Sequence, residues 1–306
     1  MPVTLLLTTI TMLAFASNSL LTRAALADGA IDAISFTTIR FAAGAVTLVA
    51  LTLWQSGRRE RSRLLVALPG NWTSAVCLFV YGMGFSLAYL RLGAATGALI
   101  LFASVQAGMI AWGVRCGHHP NRTEAVGLVI AFVAFVVLML PGLHAPDLWG
   151  SLLMMSAGLA WAAYSLRGRG SADPLGETAG NFVRMSLACL PVALLKYNSL
   201  HAGGDGIVLA VICGSVTSGL GYSIWYHAMR GLKPLQAASV QLTVPLIAAV
   251  GGMLLLSEAP TLRLVVAGGS ILFGVSLTIL SKGSPAAPTR LAENLSGRST
   301  SGPRAS

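Results

Sequence analysis

The sequence predicts an all-α integral membrane protein: ten transmembrane helices as two inverted five-helix repeats, with the N- and C-termini cytoplasmic. Three observations predict it. First, hydrophobic residues make up 55% of the 306-residue chain and charged residues 10%, with a mean hydropathy of +0.75. A soluble domain carries about 25% charged residues, so this chain cannot cover a water-facing surface in the usual way. Second, the apolar residues fall into ten stretches, each close to the roughly 20 residues that cross a hydrocarbon core of about 30 Å. None alternates in the manner of a strand, which argues against a β-barrel. Third, the tetrapeptide ASVQ stands at 103–106 and again at 238–241.

In chain order, the first stretch (4–23) carries Phe15 and Asn18 on one helical face. AFAS at 14–17 has the small-x-small form of a cleavage site, but no Lys or Arg precedes the apolar run, as a signal peptide requires, so it reads as a retained span. The second (33–54) contains Arg40, and the third (72–91) contains Tyr81, Phe85 and Tyr89. The fourth (96–115) holds Gln106 and part of GAATGALILFA, a Gly/Ala run suited to close helix packing. The fifth (124–141) holds GLVIAF, the sixth (149–168) Trp161 and Tyr164, and the seventh (178–195) Arg184. The eighth (206–228) carries Tyr222, Trp225 and Tyr226; the ninth (235–257) carries Gln241, Pro245 and AAVGG; the tenth (262–281) carries GGSILF. Residues 283–306, rich in Ser, Pro, Gly and Arg, read as a disordered cytoplasmic tail.

Orientation follows from the basic residues. With the N-terminus inside, 14 of the 20 Lys and Arg fall on the cytoplasmic side, four on the other side, and two within spans. That bias sets both termini in the cytoplasm. It also accounts for the net charge of +10 without invoking nucleic acid.

The repeated word belongs to a repeated chain. Phe85, Ser86 and Tyr89 match Tyr222, Ser223 and Tyr226 at an offset of 137, which falls to 135 at ASVQ. LAFASNSL (13–20) matches LAWAAYSL (159–166), Arg40 matches Arg184, and GLVIAF matches GGSILF. Residues 1–142 and 143–282 are therefore two repeats. An odd number of helices per repeat turns the second upside down, as in many secondary transporters.

These residues resemble the drug/metabolite transporter superfamily, EamA type. The likeness covers 1–282 and is carried by LAF/LAW…SL, by IRF (39–41) and FVR (182–184), by GYSIWYHAM (221–229), and by QLTVPLIAAVGGMLLLSE (241–258) with GGSILFGVSL (268–277). Where the family commonly repeats a helix-9 proline in helix 4, this chain has Ile110 opposite Pro245. The resemblance implies a multi-pass protein of the bacterial inner membrane that exports or exchanges small metabolites, often amino acids.

The residues themselves nominate a site. Phe15, Asn18, Tyr81, Trp161, Tyr164 and Tyr222 lie near mid-depth, where a polar tip facing lipid is costly, and so read as walls of a central cavity. Trp225, Tyr226 and Tyr89, nearer helix ends, read as an interfacial aromatic belt. Gln106 and Gln241 suit either substrate hydrogen bonding or helix-to-helix ties. Arg40 and Arg184 would attract a substrate carboxylate or latch a gate; their nearness to helix ends favours snorkelling or bonding to carbonyl groups instead.

Other chemistry is faint. The four cysteines form no CxxC, the adjacent His118 and His119 sit in a loop, and no Walker motif occurs. No catalytic constellation, metal or cofactor is expected, and the chain reads as no enzyme. It needs only a small-molecule substrate and the lipid bilayer, works as a monomer, and binds no nucleic acid. With no acidic residue inside a span, cation export and coupling through a buried carboxylate are both disfavoured. A zwitterion fits better: amino acids, aromatic ones included, with a nucleoside, a sugar-like compound or a non-transporting scaffold as alternatives.

Overall fold

A computed structural model describes residues 2–27, 29–56, 68–117, 121–139, 145–168, 171–229 and 240–280. The expected tail and the His118–His119 pair lie outside them. The helices are α1 (Pro2–Ala27), α2 (Ala33–Gln55), α3 (Trp72–Tyr89), α4 (Ala94–Arg115), α5 (Arg122–Met139), α6 (Leu148–Gly168) and α7 (Pro174–Leu195). They continue with α8, which runs without a break through Gly204–Ile212, a π-helical Cys213–Leu220 and Gly221–Met229, then α9 (Thr243–Leu255) and α10 (Leu262–Leu280). α1, α2, α3, α4, α7 and α8 are long and apolar enough to cross a membrane, and α9 and α10 are apolar but shorter.

Helix starts are where the chain spends its acids. Asp32 and Asp173 accept hydrogen bonds from the first free N–H groups of α2 and α7, and Asp147 accepts from Gly150 N at α6. Asn121 and Glu124 exchange reciprocal bonds of 2.9 Å at α5, a capping box. Glu177 and Asp205 sit in the first turns of α7 and α8. Each carboxylate therefore meets the positive end of a helix dipole.

Asp32 does more. Its Oδ2 accepts from His201 N, while Asp32 N bonds His201 O and Gly203 N bonds Ala30 O. The α1–α2 loop is thereby stapled to the α7–α8 loop. Burial pushes this carboxyl up, but the bonds from Ser35, His201 and Ile34 outweigh it and hold it below the ordinary aspartate value.

The helices pack mainly across the midpoint of the chain. α1 lies against α8 and α9, and α6 lies against α3 and α4. α2 lies against α7 and α8, and α7 against α2 and α3; α5 pairs with α10, and α4 with α9. One close approach joins α2 to the π segment. A Cβ on Gly214 would collide with the carbonyl oxygen of Arg40, so only glycine lets the two backbones touch there. Gly214→Ala is expected to force the helices apart at about 1–3 kcal/mol and to lower the unfolding temperature. A melting curve in detergent checks it; an unchanged midpoint would show that the contact yields freely.

The aromatic belt differs from the sequence expectation. Tyr89 and Trp225 are buried, at 0% and 7% exposure, and pack on Phe85 and Phe15. The side chain of Tyr226 lies outside the described residues. The exposed tryptophans are instead Trp54, Trp72, Trp112 and Trp149, all within a few residues of helix ends, where amphipathic rings suit headgroup depth.

Candidate functional site

The centre of the bundle is a knot of aromatic rings. α1 supplies Phe15, α3 supplies Tyr81 and Phe85, α6 supplies Trp161, and α8 supplies Tyr222. Trp161 stands 4.9 Å from both Tyr81 and Tyr222, 5.7 Å from Tyr164 and 6.4 Å from Phe15 between ring centroids. Such spacings suit tilted and edge-to-face contacts. Between these walls lies a void of about 20 Å³, lined also by Asn18, Ser19, Leu101 and Phe102. That is room for about one water, so the centre is occluded.

Arg40 sits beside this knot at 0% exposure. Its Nε donates to Ser218 Oγ at 3.2 Å and its Nη2 to the Tyr81 hydroxyl at 3.3 Å, whereas Nη1 has no hydrogen-bond partner. Among the described residues no carboxylate lies within salt-bridge distance of it. Burying an unpaired arginine at helix centre costs about 2.5–3.5 kcal/mol on the lenient insertion scale. The rings of Phe41, Phe85 and Tyr81 lie 5.0, 5.2 and 5.7 Å from its guanidinium carbon. At about 0.5–2 kcal/mol each, the ring faces offset a burial cost of the same size.

The neighbouring polar groups form one cluster. Asn18 donates from Nδ2 to the Tyr81 hydroxyl at 3.3 Å. Its Oδ1 accepts from Cys213 Sγ at 2.9 Å and from Thr217 Oγ1 at 3.3 Å. The Tyr222 hydroxyl, beside them, is buried and has no hydrogen-bond partner. Cys213, Thr217 and Ser218 all belong to the π segment, and Tyr222 follows it directly. A π turn commonly marks a functional stretch of helix, and here it delivers these inward groups on one side of α8.

Two further cavities lie on either side of the centre. One, of about 200 Å³, is lined by Asn71, Ser74, Tyr164, Arg167, Glu177 and Asn181, among others. Arg167 closes it by bonding Ser74 Oγ and Asn71 Oδ1, and Arg184 bonds the carbonyls of Leu68 and Pro69 nearby. The other, of about 460 Å³, is lined by Arg23, Arg91, Thr96, Asp147, Met253 and Glu258, among others. Here Arg23 Nε meets Glu258 Oε1 at 3.1 Å and its Nη1 donates to Tyr89 O at 2.9 Å. The second Glu258 oxygen accepts from Ala94 N, the first residue of α4, at 2.7 Å. Ser257, just before Glu258, holds a left-handed φ of 53°, a conformation an L-residue adopts at a cost.

The structure therefore gathers Phe15, Asn18, Tyr81, Trp161 and Tyr222 around one void, with Tyr164 stacked on Trp161 and facing the 200 Å³ cavity. Gln106 and Gln241 are buried, at 2% and 5% exposure, but are not among the residues lining the central void. Arg40 and Arg184, equivalent in the repeat alignment, have separate surroundings: a buried aromatic cluster for one, backbone carbonyls for the other. Sequence reasoning missed Phe85, Ser218 and the Arg23–Glu258 pair. The available signal for the pair was an isolated base and an isolated acid, each at a helix end on the same side of the bundle.

The EamA-like transporter family description matches residues 148–280. The uncharacterized protein PA1977 of Pseudomonas aeruginosa is 46% identical over 90% of this chain and 94% of its own length. An uncharacterized transporter of Archaeoglobus fulgidus is 24% identical over 89% of this chain and 96% of its own. The uncharacterized inner membrane transporter YedA of Escherichia coli K12 is 24% identical over 80% of each. One crystal structure superposes with a TM-score of 0.64 at 18% identity, covering 89% of this chain and 96% of that one, a likeness of fold.

Proposed function

This chain belongs to the EamA-like transporter family of the drug/metabolite transporter superfamily, and from that premise we propose that it exports amino acids, aromatic ones included, across the cell inner membrane. The family makes it a membrane transporter of small molecules rather than an enzyme. The narrower reading rests on one observation: an occluded, ring-lined centre with a cavity on each side, each closed by polar contacts between helices. A solute held among those rings would be released to one side or the other as one set of contacts parts, which is alternating access.

Two five-helix repeats, 1–142 and 143–282, are supported by the packing; the cytoplasmic placement of both termini rests on the basic-residue bias. When each helix is exchanged for the one five places along, the contacts α1–α8, α1–α9 and α2–α8 become α6–α3, α6–α4 and α7–α3, all present. The pairs α2–α7, α4–α9 and α5–α10 map onto themselves. This is the pattern expected of a pseudo-two-fold axis running between the repeats. It also supports a monomer as the working unit, because the site draws on both repeats of one chain.

The test is flux. In proteoliposomes containing the purified protein, labelled phenylalanine or tryptophan should equilibrate down its own gradient without an imposed pH difference. The acids among the described residues sit at helix starts or in the α9–α10 turn, and arginine holds its proton at any relevant pH. His227, an exposed ring bonded to Ser223 O, is the one histidine within a described helix. Uphill accumulation driven by a pH gradient and surviving His227→Gln would refute the uncoupled mechanism. Failure to move any amino acid would refute the substrate assignment.

A further inference from the structure

We infer that Arg40 is the anchor for a substrate carboxylate, so that the central site selects molecules bearing a free carboxylate and rejects their neutral amides; this rests on the transport reading above and narrows its substrate class.

Arg40 enters α2 in its second turn or so, yet it neither snorkels to an interface nor pairs with an acid. It is fully buried, and its Nη1 is left without a partner. An orphaned donor on a buried cation is costly, and natural sites that keep one commonly have an absent partner to account for it. A second orphan stands beside it in the Tyr222 hydroxyl, also buried and without an ordinary hydrogen bond. Both orphans can donate, and Tyr222 follows one helical turn after Ser218, the residue that Arg40 Nε bonds. An acceptor carrying negative charge would satisfy them together.

The surroundings restrict what that acceptor is. Tyr81 and Phe85 wall the central void, and Arg40 lies over both rings. A guanidinium edge offers parallel N–H groups that match the two oxygens of a carboxylate, with Tyr222 O–H supplying one more donor. Its other edge is already fixed, since Nε is tied to Ser218. The rings Phe15, Trp161 and Tyr222 then provide an apolar and π-rich pocket for the rest of the molecule, including an ammonium group held against ring faces. No acid is needed there to hold the ammonium.

A purely structural Arg40 would tie α2 to α8 through Ser218 and to α3 through Tyr81, and would be indifferent to substrate charge. Wild-type protein distinguishes the two roles without any mutation. Counterflow of labelled phenylalanine into proteoliposomes is competed with unlabelled phenylalanine, with 3-phenylpropionate (carboxylate, no ammonium) and with phenylalaninamide (ammonium, no carboxylate). The expected order is phenylalanine first, 3-phenylpropionate next, and phenylalaninamide weaker than phenylalanine by about tenfold or more. Arg40→Gln should bring acid and amide to within about threefold of each other, while Arg40→Lys keeps part of the preference. Equal competition by acid and amide in the wild type would overturn the inference and leave amino-acid transport standing.

Should no labelled amino acid be carried, the amino-acid assignment falls, and the anchor is tested on its own. Thermal stability of the purified wild-type protein is measured with paired carboxylates and amides of varied skeleton. A shift with carboxylates alone upholds the anchor; no preference in any pair overturns it.

Discussion

Replacing Glu258 with glutamine is expected to open the side of the protein where α1, α3, α4 and α9 end. Glu258 joins three of these ends at once: Arg23 of α1 through Oε1, Ala94 N of α4 through Oε2, and, by way of Arg23, the last carbonyl of α3. The Arg23 and Glu258 side chains are 24% and 23% exposed, so the pair falls between the surface case, worth about 0–1 kcal/mol, and the buried case, where breaking it costs about 3–5. A loss of about 2 kcal/mol shifts a two-state balance roughly 30-fold toward the open form. A cysteine placed at Ser19, in a background lacking the four native cysteines, should then react with an impermeant maleimide from the non-cytoplasmic side, and react slowly without the Glu258 change. Equal reactivity in both proteins would show that this pair does not hold the side closed. The charge swap Arg23→Glu with Glu258→Arg should restore little, because an arginine at 258 cannot accept the Ala94 N–H.

Trp161→Ala should abolish transport and weaken the bundle together. A residue that only walled a cavity could be removed without disturbing packing. The structure differs, because in the occluded state Trp161 touches Phe15, Tyr81, Tyr164 and Tyr222, and walls and core are the same rings. Removing a buried tryptophan costs about 3–5 kcal/mol in a well-packed interior. In a bilayer the loss is of dispersion contacts rather than of burial from water. Flux should fall by about 100-fold, and the melting midpoint should fall with it. Trp161→Phe, keeping a ring in the void, should recover most of the stability and part of the flux. A Trp161→Ala protein that melts normally and still transports would remove this residue from the site.

Much of this was legible in the sequence because membranes impose long, uninterrupted apolar runs. Helix positions follow from those runs, and the pairing of Phe15 with Trp161 follows from the repeat, which aligns LAFASNSL with LAWAAYSL. What was not legible depends on depth and partner. Tyr89 and Trp225 lie near helix ends, where composition suggests a belt, but only packing reveals that Phe85 and Phe15 cover them. Arg40 and Arg184 occupy the same place in two repeats, so the sequence treats them alike. Their surroundings differ: Arg184 finds the carbonyls of Leu68 and Pro69, and Arg40 finds rings and hydroxyls. The π segment escaped notice because its residues, CGSVTSGL, carry no signature that separates them from an α-helix.

The loop staple centred on Asp32 bears on how the molecule moves. It fastens the start of α2 to the loop leading into α8 on the flank formed by α2, α7 and α8, whereas the Arg23–Glu258 pair fastens the flank formed by α1, α4 and α9. The first fastening is two main-chain bonds between loops and one from His201 N to the Asp32 carboxylate; the second is made by the Arg23 and Glu258 side chains, which bond each other, Tyr89 O and Ala94 N. A rim held by backbone on one flank and by side chains on the other would open as a door, with the staple as its pin and the ion pair as its bolt. Opening then becomes rotation about a fixed corner, and displacement grows with distance from Asp32. In such an opening the widest swing would fall to α9, and the narrowest to the helix that carries Arg40.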